Sequence, residues 1–226
     1  MMYKIIGVLI GFFILTLKCN GQYIIPGFKV GGSLSTIESN QFKTSPLIGY
    51  NAGFVFTTPL TDKFDLISLL DFTRKGAIIE GRRTVILDNS TELVEEKLYI
   101  NSYEWSLLGN YYLKVPGFSI QAGFSLAKNS SRNKGMQSLY FGSTDDGSYI
   151  FSGQTLEEGI MDGIDYAAIF GISGGTEALK INLSYHAGLK NYFKNIDYNN
   201  LGYKIKCNYI ELSISYSLLN WRVVSY

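Results

Sequence analysis

Six ionisable side chains carry most of the chemistry this chain could perform: Asp71, Glu104, Asp165, Lys180, His186 and Glu211. Each stands between apolar or aromatic neighbours, so an extended strand turns it away from the apolar face. Gathered inside a closed sheet, such groups could line a path for ions or solutes. They could equally pair with one another and fill the interior as a polar plug. His186 is the only histidine, and the strand pattern puts it near the same end of the fold as Asp165. A histidine beside an aspartate, with a serine in reach, is the apparatus of acyl transfer or hydrolysis. No serine sits in a strained nucleophile turn, so the plug is the expected role and no catalytic residue is assigned. One histidine and few cysteines make no transition-metal set. Asp145 and Asp146 beside Gly147 read as a solvated β-turn. No metal and no cofactor are expected.

The elements that position these residues are strands. Phe118, Ile120, Ala122, Phe124 and Leu126 fall on one face, and Ser119, Gln121, Gly123, Ser125 and Ala127 on the other. This is an apolar face against a small, polar one, at the ~9–11 residues of a membrane-crossing strand. The split recurs over 48–57, where Ile48, Tyr50, Ala52, Phe54 and Phe56 oppose Gly49, Asn51, Gly53, Val55 and Thr57. It recurs over 102–111, 179–188 and 210–218, more weakly over 28–35 and 165–173, and over 64–75, where Ser68 breaks the outward face.

Connections alternate in length. Short ones are predicted at 58–63, 115–117 and 174–177, and long ones at roughly 36–46, 81–96, 128–164 and 190–206. Short turns at one end and long loops at the other is the pattern of outer-membrane barrels, with the short turns periplasmic. Thr144-Asp145-Asp146-Gly147, flanked by Leu139–Phe141 and Tyr149–Phe151, predicts a hairpin inside the third long loop. Ile78-Ile79 and Leu98-Tyr99-Ile100 predict that the third and fourth strands run on outward.

The N-terminus reads as an export signal. Lys4 is followed by a mostly apolar run from Ile5 to Leu17, and Cys19 and Gly21 supply a small-x-small cleavage site. Residues 1–21 are expected to be removed, leaving a single domain, 22–226. A lipoprotein acylated at Cys19 is the rival reading, and Lys18 before it fits a lipobox poorly. After cleavage Cys207 stands alone, so no intramolecular disulfide forms. No later run has the length and apolarity of a spanning helix; a chain that spans without one must close a barrel, so that every backbone polar group is paired.

Composition agrees. Lys and Arg number 20 against 19 Asp and Glu, a net charge of +1, so there is no basic footprint for nucleic acid. The 17 Tyr, 14 Phe and 24 Gly favour strands and tight sheet bends. Tyr50, Phe72, Tyr103, Trp105, Tyr111 and Tyr216 are candidates for aromatic girdles at the two membrane interfaces, with Tyr112 facing inward.

Several ordered pieces carry a resemblance: Gly27-Phe28-Lys29-Val30-Gly31-Gly32-Ser33-Leu34, Gly49-Tyr50-Asn51-Ala52-Gly53-Phe54, Pro59-Leu60-Thr61-Asp62-Lys63-Phe64-Asp65-Leu66, Lys75-Gly76-Ala77, Glu104, and Tyr185-His186-Ala187-Gly188-Leu189. In this order they resemble the PorT-like outer-membrane β-barrel family of Bacteroidota, along nearly the whole mature chain. Leu69 stands where that family often carries an inward Glu, with Asp71 two residues on, and Ser184 stands where it often carries an inward Arg. The resemblance implies an outer-membrane barrel. The secretion role of the family's namesake does not come with it.

The expected fold is therefore all-β, an eight-stranded antiparallel up-and-down transmembrane barrel behind a cleavable signal. The expected role is structural, surface-binding or as a component of an envelope complex. Its partners would be outer-membrane lipid and envelope proteins met through the outer loops. A barrel-rim enzyme using His186 and Asp165 is one alternative, and a soluble lipocalin-like ligand binder is the other. The second requires apolar residues inside, whereas the pattern turns Ser, Gly, Asn and Gln inward.

Overall fold

The computed structural model describes residues 24–39, 43–84, 91–131, 163–176, 178–191 and 205–218. They form eight strands: β1 (Ile25–Ser39), β2 (Thr44–Thr61), β3 (Phe64–Thr84), β4 (Thr91–Tyr112), β5 (Phe118–Ser131), β6 (Gly163–Gly175), β7 (Leu179–Gly188) and β8 (Ile205–Ser217). Each pairs antiparallel with the next, and β8 returns to β1, from Gly27 opposite Ser217 to Ser39 opposite Ile205, so the sheet closes into a barrel. Closure removes both open edges of the sheet, which is what a β-protein in hydrocarbon requires.

Alternation decides which face is which. On β5, Ser119, Gln121, Ser125 and Ala127 are buried, while Phe118, Ile120, Phe124 and Leu126 are 43–51% exposed. The other strands repeat this, with Leu70, Tyr103, Phe170, Leu183, Leu212 and Ile214 on the outside. A water-soluble sandwich or lipocalin buries such residues; here the greasy face is the outer one.

The short connections occupy one end. Gly117, in the β4–β5 turn, has φ +79°, and a Cβ there would lie 2.7 Å from the Gly175 carbonyl oxygen. Only glycine fits both the left-handed conformation and that approach, and Gly175 N–H donates to the Gly117 carbonyl at 3.0 Å, tying two turns together.

The opposite end departs from the sequence expectation. The predicted 81–96 loop is mostly strand: the β3–β4 ladder runs unbroken from Phe64 opposite Tyr111 to Thr84 opposite Thr91. Likewise β1 reaches Ser39, β2 starts at Thr44, β5 reaches Ser131, and β6 and β8 begin at Gly163 and Ile205. The apolar-outward pattern stops where lipid stops, whereas backbone pairing needs no lipid and continues through charged sequence. The hairpin expected over 139–151, the signal expected over 1–21 and the tail after Leu218 lie outside the described residues.

Candidate functional site

Inward parity on six strands builds one buried charge cluster. Lys29 on β1 reaches Asp71 on β3 at 2.6 Å and Glu211 on β8 at 2.9 Å. Lys75 on β3 lies 3.8 Å from both Glu104 on β4 and Asp165 on β6. His186 on β7 stands between two acids, Nδ1 3.4 Å from Glu104 and Nε2 4.0 Å from Glu211. Its ring stacks on Tyr209 with centroids 4.0 Å apart, and Tyr209 donates its hydroxyl to Glu104 at 2.8 Å. Ser213 donates to Glu211 at 2.9 Å, and Ser102 donates to Asn129, which in turn reaches Asp165. A buried charge costs several kcal/mol, about 3–5, when its partner is removed, so these contacts hold one another in place.

The cluster lies between two apolar layers. Towards the short turns, Val55, Ile67, Leu69, Leu108 and Ile169 meet in the lumen. Towards the long loops, Ile37, Leu47, Ala77, Ile79, Leu98 and Ile100 are buried, Ile100 in register with Lys75. The filled polar lumen expected from the sequence is present, with apolar layers above and below its charge cluster. Parity alone tells which residues turn inward; it does not tell at which height each strand's inward apolar residues meet.

Lys180 also turns into the lumen, where it heads a second set of contacts and lines one cavity with Lys29, His186 and Glu211. Near the short turns its ammonium donates to the Tyr112 hydroxyl at 2.8 Å, and Tyr112 donates to Asp65 at 2.6 Å. Between this second network and the first runs a cavity of about 40 Å³. One of its walls is polar, with Asn182, Ser184, Ser213 and Ser215, and the other is the lower apolar layer. A water needs roughly 10–15 Å³ by this measure, so the space holds about three.

Asp165 and His186 do not meet. Asp165 is engaged by Lys75, Asn129 and the Tyr166 amide, while His186, on the neighbouring strand, lies with Glu104, Glu211 and Ser184. The strand tilt of a closed barrel separates them: Asp165 pairs with Ala127, and His186 pairs with Ile169, four residues further along β6. Ser184 Oγ is 3.1 Å from His186 Nε2 and Glu104 is on the other ring nitrogen, the order of an acyl-transfer relay. However, the serine faces a space for a few waters, with no room for an acyl chain, and a second carboxylate flanks the ring. Among the described residues no His, Cys, Asp or Glu group has the geometry to hold a metal ion.

The sequence reading missed Lys29, Lys75 and Tyr209. Both lysines stand at inward parity, and four inward carboxylates outnumber Lys180 and His186, the cationic groups expected beside them. That imbalance was the available signal.

On the outer face, Tyr50, Phe72 and Tyr103 form a continuous aromatic arc, with ring centroids 6.3 and 5.5 Å apart. Tyr111 and Tyr216 lie outward near the short turns. Trp105 packs edge-on against Phe124 and donates its indole N–H to Ser68 at 3.0 Å. It therefore shields the one hydroxyl that breaks the outward face of β3, and its N–H is not turned to the interface.

No known family and no curated protein matches the chain. Among solved structures it is similar to Ail, the attachment invasion locus protein of Yersinia pestis, at 13% identity over 85% of this chain and 97% of that one, TM-score 0.43. It is also similar to neisserial surface protein A, at 14% identity over 84% and 96%, TM-score 0.45. The translocator domain of the autotransporter NalP from Neisseria meningitidis aligns at 10% identity over 95% of each chain, TM-score 0.29.

Proposed function

We propose that the chain is a small outer-membrane β-barrel protein whose interior is filled, acting as a structural, surface-binding or envelope-complex component rather than as an enzyme or a pore. The observation that carries this is the inversion of the sheet: apolar and aromatic side chains line the outside of a closed barrel while lysines, carboxylates and serines are buried inside it. In water such a surface would aggregate; in a bilayer it is the solvated one. The band fits as well. Phe118 to Leu126 on β5 spans ~27 Å of strand, or ~21 Å of height at a ~40° tilt, near the ~25 Å of such barrels.

Export by residues 1–21 and cleavage after Gly21 complete this reading, and the ordered motifs that resemble PorT-like barrels support it. Partners would then be met through the long loops, and the aromatic arc would mark one membrane interface. His186 and Ser184 hold the lumen together in this reading. Fractionation followed by unheated and heated gel electrophoresis tests it. The mature chain is expected in the outer-membrane fraction, with a compact band that shifts on boiling. A soluble product with no shift would overturn it.

A further inference from the structure

Immediately beyond the aromatic arc, on the outer face, two cations stand without acids. Arg74 on β3 lays its guanidinium over the Tyr99 ring at 4.1 Å, and its Nε is buried with no hydrogen-bond partner among the described residues. Lys128 on β5 is exposed and in register with Tyr103. Arg74, Asn101 and Ser130 share one rung across β3, β4 and β5, one step further from the short turns than the Phe72–Tyr103–Lys128 rung. Among the described residues neither Arg74 nor Lys128 has an ion pair. This contrasts with the lumen, where Lys29 and Lys75 each lie beside two carboxylates.

The height of this patch selects its ligand. Two residues of strand add ~7 Å along the strand, or ~5 Å of height at a ~40° tilt, which carries Arg74 from the aromatic level towards the head-group layer. Lys128 starts at the aromatic level and reaches the same layer by extending its stem along apolar surface. A guanidinium over Tyr99 with its Nε buried has its terminal N–H groups to offer an oxyanion, as arginine does to phosphate. Asn101 and Ser130 add neutral donors between the two cations.

We propose that Arg74, Lys128, Asn101 and Ser130 form a binding site for the phosphate of an anionic lipid head group, in the leaflet at the long-loop end. The site rests on the membrane reading above. It gives the barrel a preference among lipids and fixes its depth on one side.

Native mass spectrometry of the refolded full chain, released from micelles containing equal phosphatidylcholine and phosphatidic acid, tests it. The chain is expected to retain phosphatidic acid over phosphatidylcholine. Arg74→Gln and Lys128→Gln should each lower that preference about fivefold, and together bring it near unity. Lys63→Gln with Lys114→Gln, two exposed lysines at the short-turn end, should leave it unchanged. No preference in the unsubstituted chain, or an equal loss in the short-turn control, would overturn the site. So would displacement of the lipid by excess inorganic phosphate, which would mark a site for free phosphate. The heat shift on gels is read for every variant, so loss of the barrel is distinguished from loss of the site. Failure of the unsubstituted chain to insert into pure phosphatidylcholine vesicles would defeat the membrane reading itself.

Discussion

Removing the Lys29 ammonium would leave Asp71 and Glu211 facing each other in a water-poor interior. Lys29→Met is therefore expected to lower stability by about 3–5 kcal/mol, measured by urea unfolding in lipid vesicles. The triple variant Lys29→Met, Asp71→Asn, Glu211→Gln should recover most of the loss, because it removes the charges together. Lys180→Met, half-buried near the short turns, should cost less, about 1.5–3 kcal/mol. Equal losses for the two lysines would refute the division into two networks. At this scale the sequence was half legible. Alternation turned Asp71, Glu104, His186 and Glu211 inward, but it could not pair Lys29 with Glu211, 182 residues away, because that contact depends on barrel closure and register.

Each strand's lipid face was legible because period two is a property of neighbouring residues. Phe124 lies within the β5 stripe, one outward residue from its centre at Ala122, so Phe124→Arg is expected to cost ~2–4 kcal/mol in vesicle refolding, as a charge deep in the bilayer does. A cost below ~1 kcal/mol would place Phe124 near an interface instead. The strand ends were not legible. Apolar alternation reports lipid contact, and β3 and β4 continue to pair well past it. Among the described residues, β4 from Thr91 to Tyr99 pairs with β3 alone, whereas from Ile100 onward it pairs with β5 as well. Amides of 91–99 should therefore exchange with deuterium markedly faster than those of 100–112, read by mass spectrometry after pepsin digestion. Uniform protection along β4 would mean that another strand covers this edge.

For the whole molecule, the decisive feature is that three lumenal layers lie in series. An eight-stranded barrel is just wide enough for its side chains to meet across the interior. The lower apolar layer lines one side of the cavity, and the charge cluster and the upper apolar layer follow it towards the long loops. A cavity of about 40 Å³ runs past the lower layer as far as His186 and Lys29. An ion following it would next have to break the Lys29–Asp71–Glu211 contacts and then shed its water among Ile37, Ile79 and Ile100. The protein in a planar bilayer is accordingly expected to show no steady conductance. Leu69→Ala with Leu108→Ala should enlarge the cavity and cost stability, about 2–5 kcal/mol per truncation, yet stay electrically silent because the other two layers remain. Steady conductance in the unsubstituted chain would show that the layers open together, and the interior would then be a gate rather than a filling.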